Sequence, residues 1–173
     1  MFDQIGRCTK SIIASRRLAR MYAVRRWSVR RARLLETIYH HFERIIIRLH
    51  PILKTIGYAR LEKPVGVAER VIKGFLFDCQ MCGHCVLNST GMSCPMNCPK
   101  ELRNGPCGGV RPNGNCELIP DMQCVWVAAW EGKQRMREGE NIQMVQPPVN
   151  AQLRGTSSWL RVVKEKAASE SLT

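Results

Sequence analysis

Between Leu35 and Ile56 the apolar residues recur at spacings of mostly three and four: Leu35, Ile38, Tyr39, Phe42, Ile45, Ile46, Leu49, Ile52, Leu53 and Ile56. That period puts them on one face of a helix. Upstream, Ile12, Ile13, Leu18, Met21, Tyr22, Val24 and Trp27 are interleaved with eight arginines between residues 11 and 33. This stretch predicts a second helix or a continuation of the same one, so residues 10–56 read as helical. Pro51 lies inside the pattern and should kink or divide it, because proline lacks the N–H that a helix interior needs. Gly57 is a natural helix stop.

The pattern then changes. Residues 58–66, with Lys63-Pro64 and Gly66, read as a linker. Val67 to Phe77 predicts a short helix whose apolar side carries Val71, Ile72, Phe75 and Leu76. From Cys79 to Cys124 the periodicity disappears. Six glycines and five prolines fall within these 46 residues, a density of breakers that argues against long regular elements. So irregular a segment cannot offset its ordering entropy by apolar burial alone, and something else must hold it. Residues 122–138 predict one helix around Val125, Trp126, Ala129 and Trp130. From Gln146-Pro147-Pro148 onward the chain reads as an extended strap with a short helix near Trp159–Lys166.

The expected fold class is therefore a small, metal-stabilised, loop-rich cysteine domain with short helices, preceded by a basic α-helical arm: mainly α plus irregular structure. The boundaries are a basic helical arm at 1–57, a cysteine-rich metal-binding domain at 67–138 and an extended C-terminal tail at 139–173. The charge supports the division. Of the net +13, residues 1–56 carry +10 and the block 79–124 sums to zero. A basic arm of this kind reads first as the solvated face of a docking helix; an acidic patch of a partner subunit or an anionic membrane surface are the alternatives. It carries no recognised nucleic-acid-binding motif, which argues against nucleic acid. No run of about 18 apolar residues exists, so no transmembrane helix is expected. The N-terminus lacks the apolar core of a secretory signal, although an arginine-rich, acid-poor start also fits an organelle transit peptide. The expected location is cytoplasmic. In that reducing compartment clustered thiols point to metal or redox chemistry rather than to disulfides.

The candidate metal ligands are Cys79, Cys82, Cys85, Cys94, Cys98, Cys107, Cys116 and Cys124. The run C-x2-C-x2-C lets three thiolates curl around one inorganic cluster, with backbone amides turned inward toward the sulfurs, and a remote cysteine completes such a set. Eight thiolates make two sets of four, the number needed by two [4Fe–4S] clusters. One set would hold Cys79, Cys82, Cys85 and a distant cysteine, and the other the remainder. Two zinc sites, or one cluster and one zinc, satisfy the same count. A triple C-x2-C-x2-C is awkward for one tetrahedral ion, however, because the third cysteine crowds the first two. His84 could replace a cysteine, but a supporting or exposed role is the simpler reading. Cys8 stands apart as a plain thiol. No carboxylate pair, nucleophile–histidine arrangement or phosphate loop is present: Gly105-Pro106-Cys107-Gly108-Gly109 lacks the lysine and Ser/Thr of a P-loop.

Several strings together carry a resemblance. They are Cys79-Gln80-Met81-Cys82-Gly83-His84-Cys85, Cys94-Pro95-Met96-Asn97-Cys98-Pro99-Lys100, Leu102-Arg103-Asn104-Gly105-Pro106-Cys107-Gly108-Gly109, Gly114-Asn115-Cys116-Glu117 and Cys124-Val125-Trp126. Over roughly residues 70–135 the chain resembles the methylenetetrahydrofolate reductase C-terminal-like family, the small cysteine-rich partner of certain flavin-dependent reductases. The resemblance implies that the eight cysteines are cluster ligands. It implies a flavin-containing methylenetetrahydrofolate reductase-like catalytic subunit as partner, with corrinoid or methyltransferase proteins of one-carbon metabolism as other associates. The expected function is an iron–sulfur accessory subunit that stabilises the flavin subunit or passes electrons to it, without activity alone. The alternative is a non-redox zinc module that docks a one-carbon methyltransferase or reductase. Trp126 and Trp130 are candidates for the contact surface, with plain core packing as the equal alternative.

Overall fold

The computed structural model describes residues 21–170, with side chains described through residue 167. Cys8 and the helical reading of residues 10–20 lie outside the described residues. Among the described residues there are six α-helices and no strand. They are α1 (21–30), α2 (Ala32–Arg48), α3 (His50–Ile56), α4 (Tyr58–Phe77), α5 (Val125–Lys133) and α6 (Ser158–Glu170). Residues 78–124 hold two single-turn 3-10 helices, Leu87–Ser89 and Pro95–Asn97, and one isolated bridge between Asn115 and Gln123.

The helical stretch is divided near Pro51, as the missing N–H demands. The break falls at Leu49, and Pro51 takes a first-turn position of α3, where no intrahelical donor is required. Gly57, at φ +94°, closes α3 and leads directly into α4.

That continuation corrects the linker reading of residues 58–66, which form the first half of α4. Pro64 removes one hydrogen bond to Arg60, but both residues are exposed, so water can satisfy the freed carbonyl. Contacts with α6 supply the rest. The Ser157 amide donates to Glu62 Oε1 at 2.5 Å, and Glu69 gathers several donors from the start of α6. Tertiary contacts thus override two local breakers.

The arm is packed onto the rest of the molecule. Arg25 pairs with Asp78, and Ser28 Oγ donates to the Leu76 carbonyl at 2.6 Å. Both oxygens of the buried Glu36 accept backbone amides, from Arg137 at 2.8 Å and Glu138 at 2.9 Å. Phe42 stacks on Trp159 with centroids 4.7 Å apart. Helix α2 therefore buries its Ala32, Leu35 and Glu36 side and leaves Ile38, Ile45 and Leu49 exposed, followed by Ile52 and Ile56 of α3. The apolar face expected from sequence is only half used.

Helix α5 is shorter than the expected 122–138, ending at Lys133. It is wedged against the loop at Gly91: a methyl at Gly132 would overlap the Gly91 carbonyl. The strap returns across the cysteine block, with Gln146 and Asn104 exchanging two hydrogen bonds of 2.7 and 2.8 Å. The Gly155 amide donates to the Met81 carbonyl at 2.8 Å. It then ends in α6, longer than the short helix expected there.

Candidate metal centre

The eight cysteines fall into two groups of four, each around its own cavity. Cys79, Cys82, Cys85 and Cys94 line the first, with Met81, Gly83, His84, Val86, Leu87, Pro95 and Met96 around them. Cys98, Cys107, Cys116 and Cys124 line the second, with Pro99, Lys100, Glu117 and Trp126. None of the eight is in a disulfide. The cysteine that joins the C-x2-C-x2-C run in lining the first cavity is Cys94.

Local geometry explains the first group. Met81 at φ +48° and Gly83 at φ +73° turn the chain back between successive cysteines. Gly83 has a second reason to be glycine, since a methyl there would overlap the Leu153 carbonyl of the strap. The Met81 amide donates to Cys79 Sγ at 3.3 Å, and the Met96 amide serves Cys94 in the same way. Cys94 starts the Pro95–Asn97 turn, and that turn is tied to the end of α4 by the Asn97 side chain, which donates to the Phe77 carbonyl at 2.9 Å.

In the second group, Cys98 ends the same turn. Cys116 and Cys124 are set side by side by a small loop, in which the Cys116 amide donates to Met122 and the Cys124 amide to Gly114, both at 2.9 Å. Cys124 occupies the N-cap of α5. Trp126 is buried and its indole N–H donates to the Leu102 carbonyl at 3.0 Å, so it is a core residue rather than contact surface. Trp130 is 54% exposed, with the Lys133 ammonium over its ring.

Burial pushes the Cys94 thiol up to about 12, assisted by repulsion from Cys79 and Cys85. Burial likewise raises Cys79 to about 11 against the opposing Met81 amide. Any metal entering the first site must displace protons from these thiols. His84 also lines it. Burial, then the charges of Arg161 and Arg103, hold its imidazole below the ordinary range.

Two cationic groups that sequence reasoning did not single out border the first site. Lys73 and Glu69 are sealed together, Nζ to Oε1 at 2.7 Å, with Ser158 Oγ 2.7 Å from Nζ. Burial opposes the Lys73 charge, but Cys85 and Glu69 outweigh it and raise its pKa. Arg103 is buried at 5% exposure; its Nη1 points at Cys82 Sγ, 3.9 Å away. Lys73 is signalled only as a position one turn after Glu69 on a helix.

The free volume is about 20 Å³ in the first cavity and about 10 Å³ in the second. A wider cleft of about 1000 Å³ lies between α1 and the cysteine block, lined in part by Arg25, Arg26, Arg30, Cys94 and Met122. Among the described residues, no three cysteine sulfurs lie within 4.8 Å of one another. Four thiolates on one zinc ion would stand about 3.8 Å apart, given Zn–S bonds of about 2.3 Å. Among the described residues, Glu36, His40 and Glu138 are the acidic and histidine residues whose ligand atoms lie this close together, and the Glu36 carboxylate is already committed to two backbone amides.

The methylene-tetrahydrofolate reductase C terminal family matches residues 58–152, more than half of the chain. The chain belongs to that family. No curated protein and no solved structure matches it. The methylene-tetrahydrofolate reductase C terminal region begins at the first residue of α4 and includes all eight cysteines, Glu69, Lys73 and Arg103. It is wider than the 70–135 over which the motifs are legible. Ser157, Ser158 and Trp159, which close over Glu69, and Glu36, which caps the turn after α5, lie outside it. Among the described residues no helix is long and apolar enough to cross a membrane.

Proposed function

We propose that the protein is the iron–sulfur accessory subunit of a folate-linked one-carbon oxidoreductase, docking to a flavin-containing methylenetetrahydrofolate reductase-like subunit. The observation that carries this reading is the division of eight free cysteines into two four-thiol cavities within a methylene-tetrahydrofolate reductase C terminal region. Cys79, Cys82, Cys85 and Cys94 would hold one [4Fe–4S] cluster; Cys98, Cys107, Cys116 and Cys124 would hold the other. Such clusters supply one-electron transfer between centres. The protein's own part is to present the thiolates, to donate the Met81 and Met96 amides to sulfur, and to keep water from the first site with Met81, Val86, Leu87 and Met96.

Docking is supported by the exposed apolar line Ile38, Ile45, Leu49, Ile52 and Ile56, each 41% to 56% exposed. A line of that length on a small protein is a candidate partner surface.

The deciding experiment is anaerobic purification with iron, acid-labile sulfide and zinc counted per chain. Eight irons and eight sulfides are expected from two four-iron clusters. Zinc without sulfide would replace this reading with that of a structural docking module.

A further inference from the structure

Arg103 poses a charge problem. Its side chain is buried, and among the described residues no carboxylate pairs with it. Its Nη2 donates to the His84 carbonyl at 3.3 Å, its Nη1 faces Cys82 Sγ and Met96 Sδ at 3.9 Å each, and its Nε has no partner. A buried guanidinium without a counter-anion is strongly unfavourable. The nearby Lys73 does not share the problem, because Glu69 neutralises it. The ionisable group that Arg103 faces is the Cys82 thiol, so the anion it lacks is supplied when the thiols of this site ionise.

The second site is arranged differently. There a carboxylate stands against a thiol: Glu117 Oε1 lies 3.9 Å from Cys107 Sγ and is itself paired with Lys100. That pair is half exposed and locally neutral. Among the described residues, the cation that is both buried and without a carboxylate stands at the first site; Arg111, which donates to the Cys116 and Glu117 carbonyls, is exposed to water.

We infer that Arg103 is the built-in counter-charge of the Cys79/Cys82/Cys85/Cys94 site, and that it holds the group bound there at a higher reduction potential than the four thiolates would give by themselves. This rests on the cluster reading above. Positive charge and hydrogen bonds directed at ligand sulfur stabilise the more negative, reduced form of a cluster. Arg103 is a positioning residue and touches no substrate.

The test uses the full chain, purified anaerobically as wild type, Arg103→Met and Arg103→Lys, with iron and sulfide counted and potentials read by redox titration with electron paramagnetic resonance. Arg103→Met is expected to keep its iron. One of its two midpoints should fall so that the reduced-to-oxidised ratio at a fixed poise drops at least about tenfold, ~59 mV for a one-electron couple. The other midpoint should move less, and Arg103→Lys should restore most of the shift. Full iron with both midpoints unchanged in Arg103→Met overturns the proposal. If Arg103→Met loses one cluster, retention in Arg103→Lys supports a charge role, and loss in both overturns it in favour of packing. If the wild type carries zinc and no sulfide, the cluster reading fails separately. The counter-charge is then read as zinc transfer to a chromophoric chelator, expected to be at least about tenfold faster in Arg103→Met, with Arg103→Lys close to wild type. Equal rates overturn it.

Discussion

Lys73 Nζ lies 2.7 Å from Glu69 Oε1 in a pair whose side chains are 4% and 2% exposed. Ser157 and Ser158 hydroxyls complete the carboxylate at 2.7 and 2.5 Å. Removing one partner strands the other charge in the interior. Lys73→Met is expected to lower unfolding free energy by about 3–5 kcal/mol, and the double variant Glu69→Leu/Lys73→Met to recover much of it. Chemical denaturation of the three proteins measures both. Burial works against the Glu69 charge, but Lys73 and the serine hydroxyls lower its pKa overall. Its contribution is therefore full above the ordinary glutamate range and is lost as pH falls through the depressed value.

The two four-thiol groups predict independent sites. Cys94→Ala should remove about half of the bound metal and leave the second site loaded, while Cys107→Ala should do the reverse. Combining Cys94→Ala with Cys82→Ala should cost no more metal than either alone, because both disable one site. Metal analysis and visible absorption decide it, and a complete loss from either single variant would show that the sites are not independent.

The thiol pKa values set an alkaline limit on the metal-free, reduced protein. Cys94 and Cys79 are raised in the fold, so the folded state holds their protons more tightly than the unfolded chain. Their contribution is full below about pH 9 and is lost as pH rises toward about 11 to 12, at up to about 1.4 kcal/mol per pH unit for each thiol. Denaturation midpoints between about pH 8 and about pH 11 should fall, with a shallower slope in Cys94→Ala.

Gly132 faces the Gly91 carbonyl with no room for a methyl. Gly132→Ala should push α5 from the loop at Gly91, costing about 2–3 kcal/mol. Gly74→Ala is the control, since a methyl there meets no heavy atom within 4 Å. Thermal unfolding compares them.

The exposed apolar line predicts a docking phenotype without a folding one. Ile45→Glu and Ile52→Glu should leave metal content and unfolding nearly unchanged, within about 0.5 kcal/mol. They should abolish co-purification with a co-expressed flavin-containing methylenetetrahydrofolate reductase-like subunit. Retained co-purification would place the contact elsewhere.

The sequence by itself determined which cysteines are candidate ligands and which helices have a clear period. Cysteine spacing exposes candidate ligands because chelation by thiolates depends on near neighbours in the chain. Leu35 to Ile56 is legible as helix because its apolar period is local, and the Pro51 break follows from one missing N–H. Tertiary structure alone decided three further matters. Cys94 joins Cys79, Cys82 and Cys85, while Cys98, four residues later, turns to the other cavity, since the Pro95–Asn97 turn separates them. Residues 58–66 are helical despite Pro64 because Glu62 and Glu69 are bound by residues nearly ninety positions away or more. Arg103 meets Cys82 across 21 residues of irregular chain, a contact no periodic pattern encodes, and its burial without a carboxylate partner became visible only once the fold had formed.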